Sequence, residues 1–341
     1  MHLVFAADDG FVRQLLVASG SALYATRTGE RTTPVFIHVL DCGIGDKTWA
    51  WYESRMTNLA ERNRLSLSLQ RHGIDMGRFD RLPWWTNGSK ATWARILIPE
   101  ILEQVDRCVY SDCDMLFLSD PKEMLHGLAK PGVLMAGHRN PFGMQGPDAR
   151  WHRRQGLPYD AATYVCAGLV ALDLRGGRAE GLVGKCFEFA SCHPNLVSAD
   201  QTVLNNVCRG RTALLPDGWG LFTHECHLFE GPLKAIHYSG GWPWTRCKNV
   251  YDALCLSCTR EEVGLWHDFE MRILAYTPPA PPPSEHPSSI RRGLAFGVQG
   301  VCRLANRMGL SIPGRECLQE LVAAYDGRSR ALSEARRRLF E

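Results

Sequence analysis

No apolar run in this 341-residue sequence approaches the roughly 20 residues a bilayer-crossing helix needs, so the chain is not organised around a helical membrane span. It has little net charge: the balance is +3 at pH 7, which supplies no global attraction for nucleic acid. No secretory leader is read at the start, because His2-Leu3-Val4-Phe5-Ala6-Ala7 has the pattern of a strand, and a cytoplasmic setting is expected. No second Cys-x-x-Cys accompanies Cys255-x-x-Cys258. With Cys247 upstream and His224 and Cys226 further back the set could hold zinc, but it lacks the second pair that completes the usual pattern. The thirteen cysteines are odd in number and scattered through apparent strands and helices, as expected of free thiols in a reducing compartment. Nor does a glycine-rich basic loop follow the first strand. Ala7-Asp8-Asp9-Gly10 offers acids there, which argues against a nucleotidyltransferase.

What is present fits one large α/β domain with an appendage. Leu3 to Ala7 is a strand. Phe11 to Thr26 follows with helical spacing at Val12, Leu15, Leu16, Ser19 and Leu23. Pro34 to Leu40 is a second strand, Trp49 to Asn63 a second helix, and Leu65 to Leu69 a third strand. That alternation predicts a parallel sheet with crossover helices, whose ligands sit at the carboxyl ends of the strands. Asp8 and Asp9 then either face a site or cap the helix after them. A capped helix is expected from Ser89 to Ile98, and Arg95 within it needs an anionic partner, a carboxylate or a bound phosphate. Strands are read at Gly132 to Gly137, Val165 to Asp173 and from Lys234 to His237, and helices at Gly181 to His193 and from Ser198. His138 to Tyr159 lacks periodicity and reads as a binding loop. Gly168 marks a close backbone approach. Asp200 caps its helix in the simplest reading.

The centre of the sequence is Arg107 to Leu118, where two apolar runs flank Asp112-Cys113-Asp114. Residues i and i+2 of an extended backbone share a side, so the two carboxylates can converge on one object. Hard oxygen ligands at that separation suit Mn²⁺ or Mg²⁺. Thr277 to Pro287 holds six prolines and reads as a linker. From Ile290 onward ten arginines face five acids, and a last helix from Ala331 to Phe340 suits either an anionic membrane surface or solvent.

In order, Phe5-Ala6-Ala7-Asp8-Asp9, Thr92-x-x-Arg95, Asp112-Cys113-Asp114, Ala167-Gly168, Asp200-Gln201 and His237-x-x-Gly240 followed by Pro243-Trp244 resemble glycosyltransferase family 8, most closely its bacterial lipopolysaccharide and lipooligosaccharide hexosyltransferases. The resemblance implies a GT-A fold: a single Rossmann-like α/β domain with a mostly parallel mixed sheet over residues 1–276, then a linker (277–289) and a basic helical tail (290–341). It implies retaining, metal-dependent transfer of a hexose from a UDP-sugar to a glycan or lipopolysaccharide-type acceptor. Asp112, Asp114 and His237 would hold Mn²⁺ or Mg²⁺. Ala6, Asp8, Arg95, Asp112, Cys113, Gly240 and Lys248 would meet the nucleotide sugar, with Asp200 and Gln201 at the transferred sugar. The enzyme would be cytoplasmic, peripheral on the inner face of the membrane. Three departures stand out: Trp242 replaces a lysine before Pro-Trp, with Arg246 or Lys248 as substitutes; Cys166 replaces an asparagine; and Arg139 or Asn140 falls where a sugar-binding carboxylate is usual. Galactose is therefore not assumed as the donor sugar. The lost lysine also leaves open a catalytically inactive nucleotide-sugar or glycan binder. Trp84, Trp85, Trp151, Trp242 and Trp244 suit stacking on sugar rings, although Trp84 and Trp85 fit a core equally well.

Overall fold

The computed structural model describes residues 1–28, 34–83, 89–140, 144, 146–226, 229–239, 260–275 and 330–340. Internal contacts divide the chain into two units, Met1–Gly220 and Leu221–Glu341.

In the first unit β1 (His2–Ala7), α1 (Val12–Ala25), β2 (Val35–Asp41), α2 (Asp46–Asn63) and β3 (Leu67–Gly73) alternate as the apolar periods require. β1 pairs in parallel with β2 on one side and with β4 (Arg107–Ser111) on the other, and β3 adds in parallel to β2. Past β4 the sheet becomes mixed. β7 (Val165–Asp173) runs antiparallel to both β4 and β6 (Met135–Arg139), and β8 (Thr212–Leu214) pairs in parallel with β6. The strand order is β3-β2-β1-β4-β7-β6-β8. The chain first winds outward from β1 to β3 and then restarts at β4 on the opposite side. The carboxyl ends of β1 and β4 therefore flank a topological switch point, where open α/β sheets make their crevice.

Two helices on this sheet differ in burial. α2 buries only Tyr52, Met56, Leu59 and Ala60, a single stripe. α1 buries the expected Val12, Leu15, Leu16, Ser19 and Leu23, and also Val17, Ala18, Gly20, Ser21 and Ala22. Covered on nearly every side, α1 must satisfy its hydroxyls internally. Ser19 Oγ donates to Leu15 O and accepts from Tyr52 Oη, and Ser21 Oγ accepts from Phe117 N in β5 (Met115–Phe117).

The helix expected from Ser89 is a 3-10 helix, Lys90–Leu97, that passes into α3 (Ile98–Ile101), with Ser89 Oγ accepting from Ala91 N at its start. The region read as an irregular loop contains α4 (Pro147–Gln155), which starts after Gly146 and ends at Gly156 in the left-handed region, φ 65°. α5 (Leu174–Ala179), α6 (Leu182–Cys192) and α7 (Ala199–Val207) follow β7. Three histidines line up across the outer strands. His38 lies between His2 (Nδ1···Nε2 2.9 Å) and His72 (Nδ1···Nε2 3.1 Å), and burial, then the neighbouring imidazoles, hold its pKa down at about 4. Of the eight cysteines among the described residues, seven are buried as free thiols and Cys192 is exposed.

In the second unit β9 (Leu221–Phe222) and β10 (Ala235–His237) pair in parallel, with α8 (Thr223–Cys226) between them in sequence. The His237 ring lies 4.6 Å from that of Phe222. α9 (Arg260–Asp268) precedes α10 (Arg330–Phe340). Ala331, Leu332, Ala335 and Leu339 of α10 are buried within this unit, Arg336 pairs with Asp268, and Arg338 Nη2 donates to Leu233 O at 2.7 Å. The apolar positions that had suited a membrane surface are thus already covered. Among the described residues no helix is long and apolar enough to cross a membrane. The proline-rich linker, most of the basic tail, Trp84, Trp85, Gly240, Trp242, Pro243, Trp244, Arg246, Lys248 and Cys247, Cys255 and Cys258 lie outside the described residues.

Candidate active site

After β4 the backbone bends through Asp112, Cys113 and Asp114. Burial alternates across the three: both aspartates are partly exposed, and Cys113 between them is buried. The two carboxylates share a side as the i, i+2 spacing required. Cys113 points inward, its Sγ 3.3 Å from Ala6 O, and burial, then the charges of Asp112 and Asp114, push its thiol pKa far up. Cys113 is therefore a packed thiol. Asp112 and Asp114 thereby offer carboxylate oxygens, which fit a hard divalent cation.

Arg95, from the 3-10 helix, is 5% exposed and meets carboxylates. Its Nη2 donates to Asp112 Oδ1 at 2.7 Å, Nη1 donates to Ala167 O in β7, and Nε–H points at Thr92 O, 3.0 Å away. Asp200 Oδ2 lies 2.9 Å from Nε, held by charge without an aligned hydrogen bond. Tyr110 Oη adds a second 2.7 Å bond to Asp112 Oδ1, and the Tyr110 ring lies under the guanidinium, 4.5 Å from its carbon. Burial opposes the charge on Arg95, but Asp112 and Asp200 outweigh it and hold the guanidinium protonated. Burial raises the pKa of Asp200 to about 6 against the pull of Arg95. The question the sequence left open is answered by two carboxylates, one from the end of β4 and one from the first turn of α7.

Gln201 is the neighbouring piece. Its Oε1 accepts from Ala167 N at 3.1 Å, which turns the amide so that its NH₂ is the end left for another group. Asn205, one turn on, accepts from Val165 N and donates to Val165 O and Gln201 O. Gly168 supplies the close approach read from sequence, its carbonyl accepting from Asp112 N at 2.7 Å. At the end of β1, Asp8 Oδ2 accepts from Ser89 Oγ at 2.8 Å. Asp9 accepts from Gly45 N at 2.9 Å and so braces the start of α2, a partner that neither sequence reading named.

The first unit therefore gathers Ala6, Asp8, Arg95, Asp112, Cys113, Asp114, Asp200 and Gln201 around the ends of β1, β4 and β7. His237 closes β10 in the second unit. Sequence reading missed Tyr110, the Ala167 backbone and Asn205, which reach the site only through pairing of β4 with β7 and packing of α7. It also placed Trp151 among the sugar-stacking aromatics. Trp151 is 5% exposed and lies edge-on to His152 and His193, a core position. Asp200 does not cap α7: Ser198 occupies the capping position, and Asp200 faces Arg95. Cys166 is buried and Arg139 exposed.

Compared with known proteins, residues 2–248 match the model of glycosyl transferase family 8. The chain belongs to that family. Among curated relatives it is similar to general stress protein A of Bacillus subtilis, 26% identical over 243 residues that cover 69% of this chain and 79% of the relative. It also resembles a putative glycosyltransferase of Haemophilus influenzae, 22% identical over 45% of this chain and 48% of the other. Among solved structures, the galactosyltransferase LgtC, in complex with donor and acceptor sugar analogs, superposes with a TM-score of 0.63 at 19% identity, over 82% of this chain and 98% of that one. The bifunctional glycosyltransferase WbbM gives 0.56 at 17% identity over 70% of this family 8 chain, which spans only 45% of WbbM. At these identities the likeness is one of fold, a GT-A-type mixed α/β sheet.

Proposed function

We propose that this family 8 protein is a retaining glycosyltransferase that moves a hexose from a UDP-sugar to a hydroxyl of a glycan or lipopolysaccharide-type acceptor. The observation that carries the reading is the Arg95 bridge. One buried guanidinium joins Asp112 of the Asp-x-Asp bend to Asp200 at the start of α7, so motif residues 88 positions apart in sequence address one crevice. The catalytic domain would comprise residues 1–276, since the family match runs past the end of the first unit.

Asp112, Asp114 and His237 are the proposed ligands of a divalent ion, Mn²⁺ or Mg²⁺, with His237 assigned from its motif. When bound, such an ion neutralises the charge that grows on a departing nucleoside diphosphate. Ala6 and Asp8, at the end of β1, would meet the nucleoside, and Gly240 and Lys248 the diphosphate. Asp200 and Gln201 would face the transferred sugar, with the Gln201 NH₂ directed by the Ala167 bond and available to the anomeric side. No second carboxylate is assigned as nucleophile, so same-face attack by the acceptor is favoured. Arg95 and Cys113 would lie against the nucleotide sugar as their motifs imply; Arg95 also holds Asp112 and Asp200, and Cys113 would contribute through its backbone, since its thiol faces inward. A peripheral membrane role for the C-terminal segment would rest on its arginines, because the apolar side of α10 is covered.

The test is divalent-ion-dependent hydrolysis of a panel of UDP-sugars without acceptor, run beside Asp114→Asn. Cleavage of one donor, reduced on the order of a hundredfold or more in the variant, supports the reading. An unchanged Asp114→Asn removes the metal-bound diphosphate from it. Binding of UDP without turnover, with or without acceptor, would make the protein a sugar-nucleotide binder.

A further inference from the structure

We propose that Asp148 is a positioning residue for the Asp200–Gln201 turn, and that it sets turnover without touching donor or acceptor. The proposal rests on reading Asp200 and Gln201 as the groups that face the transferred sugar.

Ala199, immediately before the pair, sits in the left-handed region at φ 42°. For a residue with a Cβ that conformation costs about 1–2 kcal/mol and persists only where the surroundings over-determine it. Asp148 supplies the determination from α4. Ser198 Oγ donates to Asp148 Oδ2 at 2.8 Å and Thr202 Oγ1 donates to Oδ1 at 2.9 Å. Thr202 Oγ1 in turn accepts from Ser198 N at 3.2 Å, and Ser198 O accepts from Gln201 N at 2.9 Å. One carboxylate thereby pins the residues on both sides of positions 199–201.

The carboxylate is itself fixed. Tyr164 Oη, at the entry to β7, donates to Asp148 Oδ1 at 2.7 Å. His152 Nε2 accepts from Asn206 Nδ2 at 2.9 Å, which leaves the ring proton on Nδ1 to donate to Asp148 O at 2.7 Å. Asp148 is 2% exposed, so it lies beneath the crevice it shapes. Loss of this clamp lets Ala199 relax toward ordinary backbone angles. That rotation carries Asp200 away from Arg95 and the Gln201 amide away from Ala167 N.

The experiment compares Asp148→Asn, Thr202→Val, Thr202→Ser and a control, Tyr52→Phe, which removes a buried hydroxyl bond between α1 and α2. Each is read by donor hydrolysis and by amide hydrogen exchange across residues 198–205. Asp148→Asn and Thr202→Val are expected to lower kcat on the order of ten- to a hundredfold with donor KM within about twofold, and to speed exchange at Gln201. Thr202→Ser, which keeps the hydroxyl, restores both. Tyr52→Phe loses stability while kcat and exchange at Gln201 stay unchanged. Unaltered kcat in Thr202→Val, an equal loss in Thr202→Ser, or unchanged exchange at Gln201 overturns the proposal. Should the wild-type protein turn over no donor, with or without acceptor, the transferase reading fails by itself, and the exchange data still decide whether Asp148 holds the turn. If Asp148→Asn does not fold, the Thr202 pair carries the decision.

Discussion

Around Arg95 a buried cation is held by two carboxylates, whereas around Asp148 a buried carboxylate is held by three hydroxyls, and both arrangements grip the start of α7. The first is built from full charges. Its members came out of water at a large cost that only their mutual attraction offsets, so each depends on the others. It also borders the crevice, where a bound anion or cation changes its balance. The second is built from short directional bonds between one carboxylate and neutral donors. It fixes angles, and it responds little to what binds nearby. A site that handles a diphosphate needs both properties, and here they reside in different residues.

Breaking the ionic network should have the largest effect. Arg95→Met leaves buried Asp200 beside half-buried Asp112 without a cation, and a loss of about 3 kcal/mol is expected by chemical denaturation. A loss below 1 kcal/mol would mean that the carboxylates find other partners. Breaking one arm of the hydroxyl network should cost less. Ser198→Ala removes a single buried donor, for which about 1–2 kcal/mol is expected in the same assay. If the two variants proved equally destabilising, the distinction drawn here between charge and direction would collapse.

Ala199→Gly sharpens the comparison from the backbone side. Glycine adopts φ 42° without the Cβ penalty, so stability should rise by up to about 1 kcal/mol while donor turnover falls, because the turn is no longer constrained. A rise in turnover would show that the strain is incidental. The smallest effect belongs to the histidine row, away from either network. The folded-state pKa of His38 lies near 4, below the unfolded value of 6.5, so the unfolded chain takes up the proton first and stability declines as pH falls through that window. Between pH 7.5 and 6 the loss expected from His38 is less than about 1 kcal/mol, and the total should shrink by that amount in His38→Gln. The loss that persists in that variant belongs to His2 and His72, whose pKa values burial also lowers, whereas Asp200, raised on folding, contributes stability as pH falls.

Much of the frame was legible because it follows from short-range pattern. The apolar runs located β1, β2 and β10, and β7 spans Val165–Asp173 as read. The strand-helix alternation pointed to the carboxyl ends of the strands, and with them to Asp8, while the switch point itself needed the strand order. The misreadings have physical causes. α1 is buried all round through Ala18, Gly20, Ser21 and Ala22, small residues that carry little hydrophobic signal. α4 was taken for a loop because its arginines and histidines obscure the period, although Gly146-Pro147-Asp148 at its start and Gly156 at its end are ordinary helix punctuation. β3 begins two residues later than the alternation at Leu65 implied. The partners of Arg95 and Asp148 were beyond reach in another sense. They come from segments tens of residues away, brought together by the antiparallel insertion of β7 and by the docking of α7.

The cysteines give the fold a means of chemical readout. Among the described residues seven thiols are packed away and only Cys192 meets solvent. A thiol reagent should therefore modify Cys192 rapidly and leave Cys113, between the two aspartates, untouched for as long as the sheet is closed. Mass spectrometry of alkylated peptides after brief exposure would then follow local opening strand by strand. Modification at Cys113 would mark the moment the crevice comes apart, distinct from Cys108 within β4 or Cys186 on the buried face of α6.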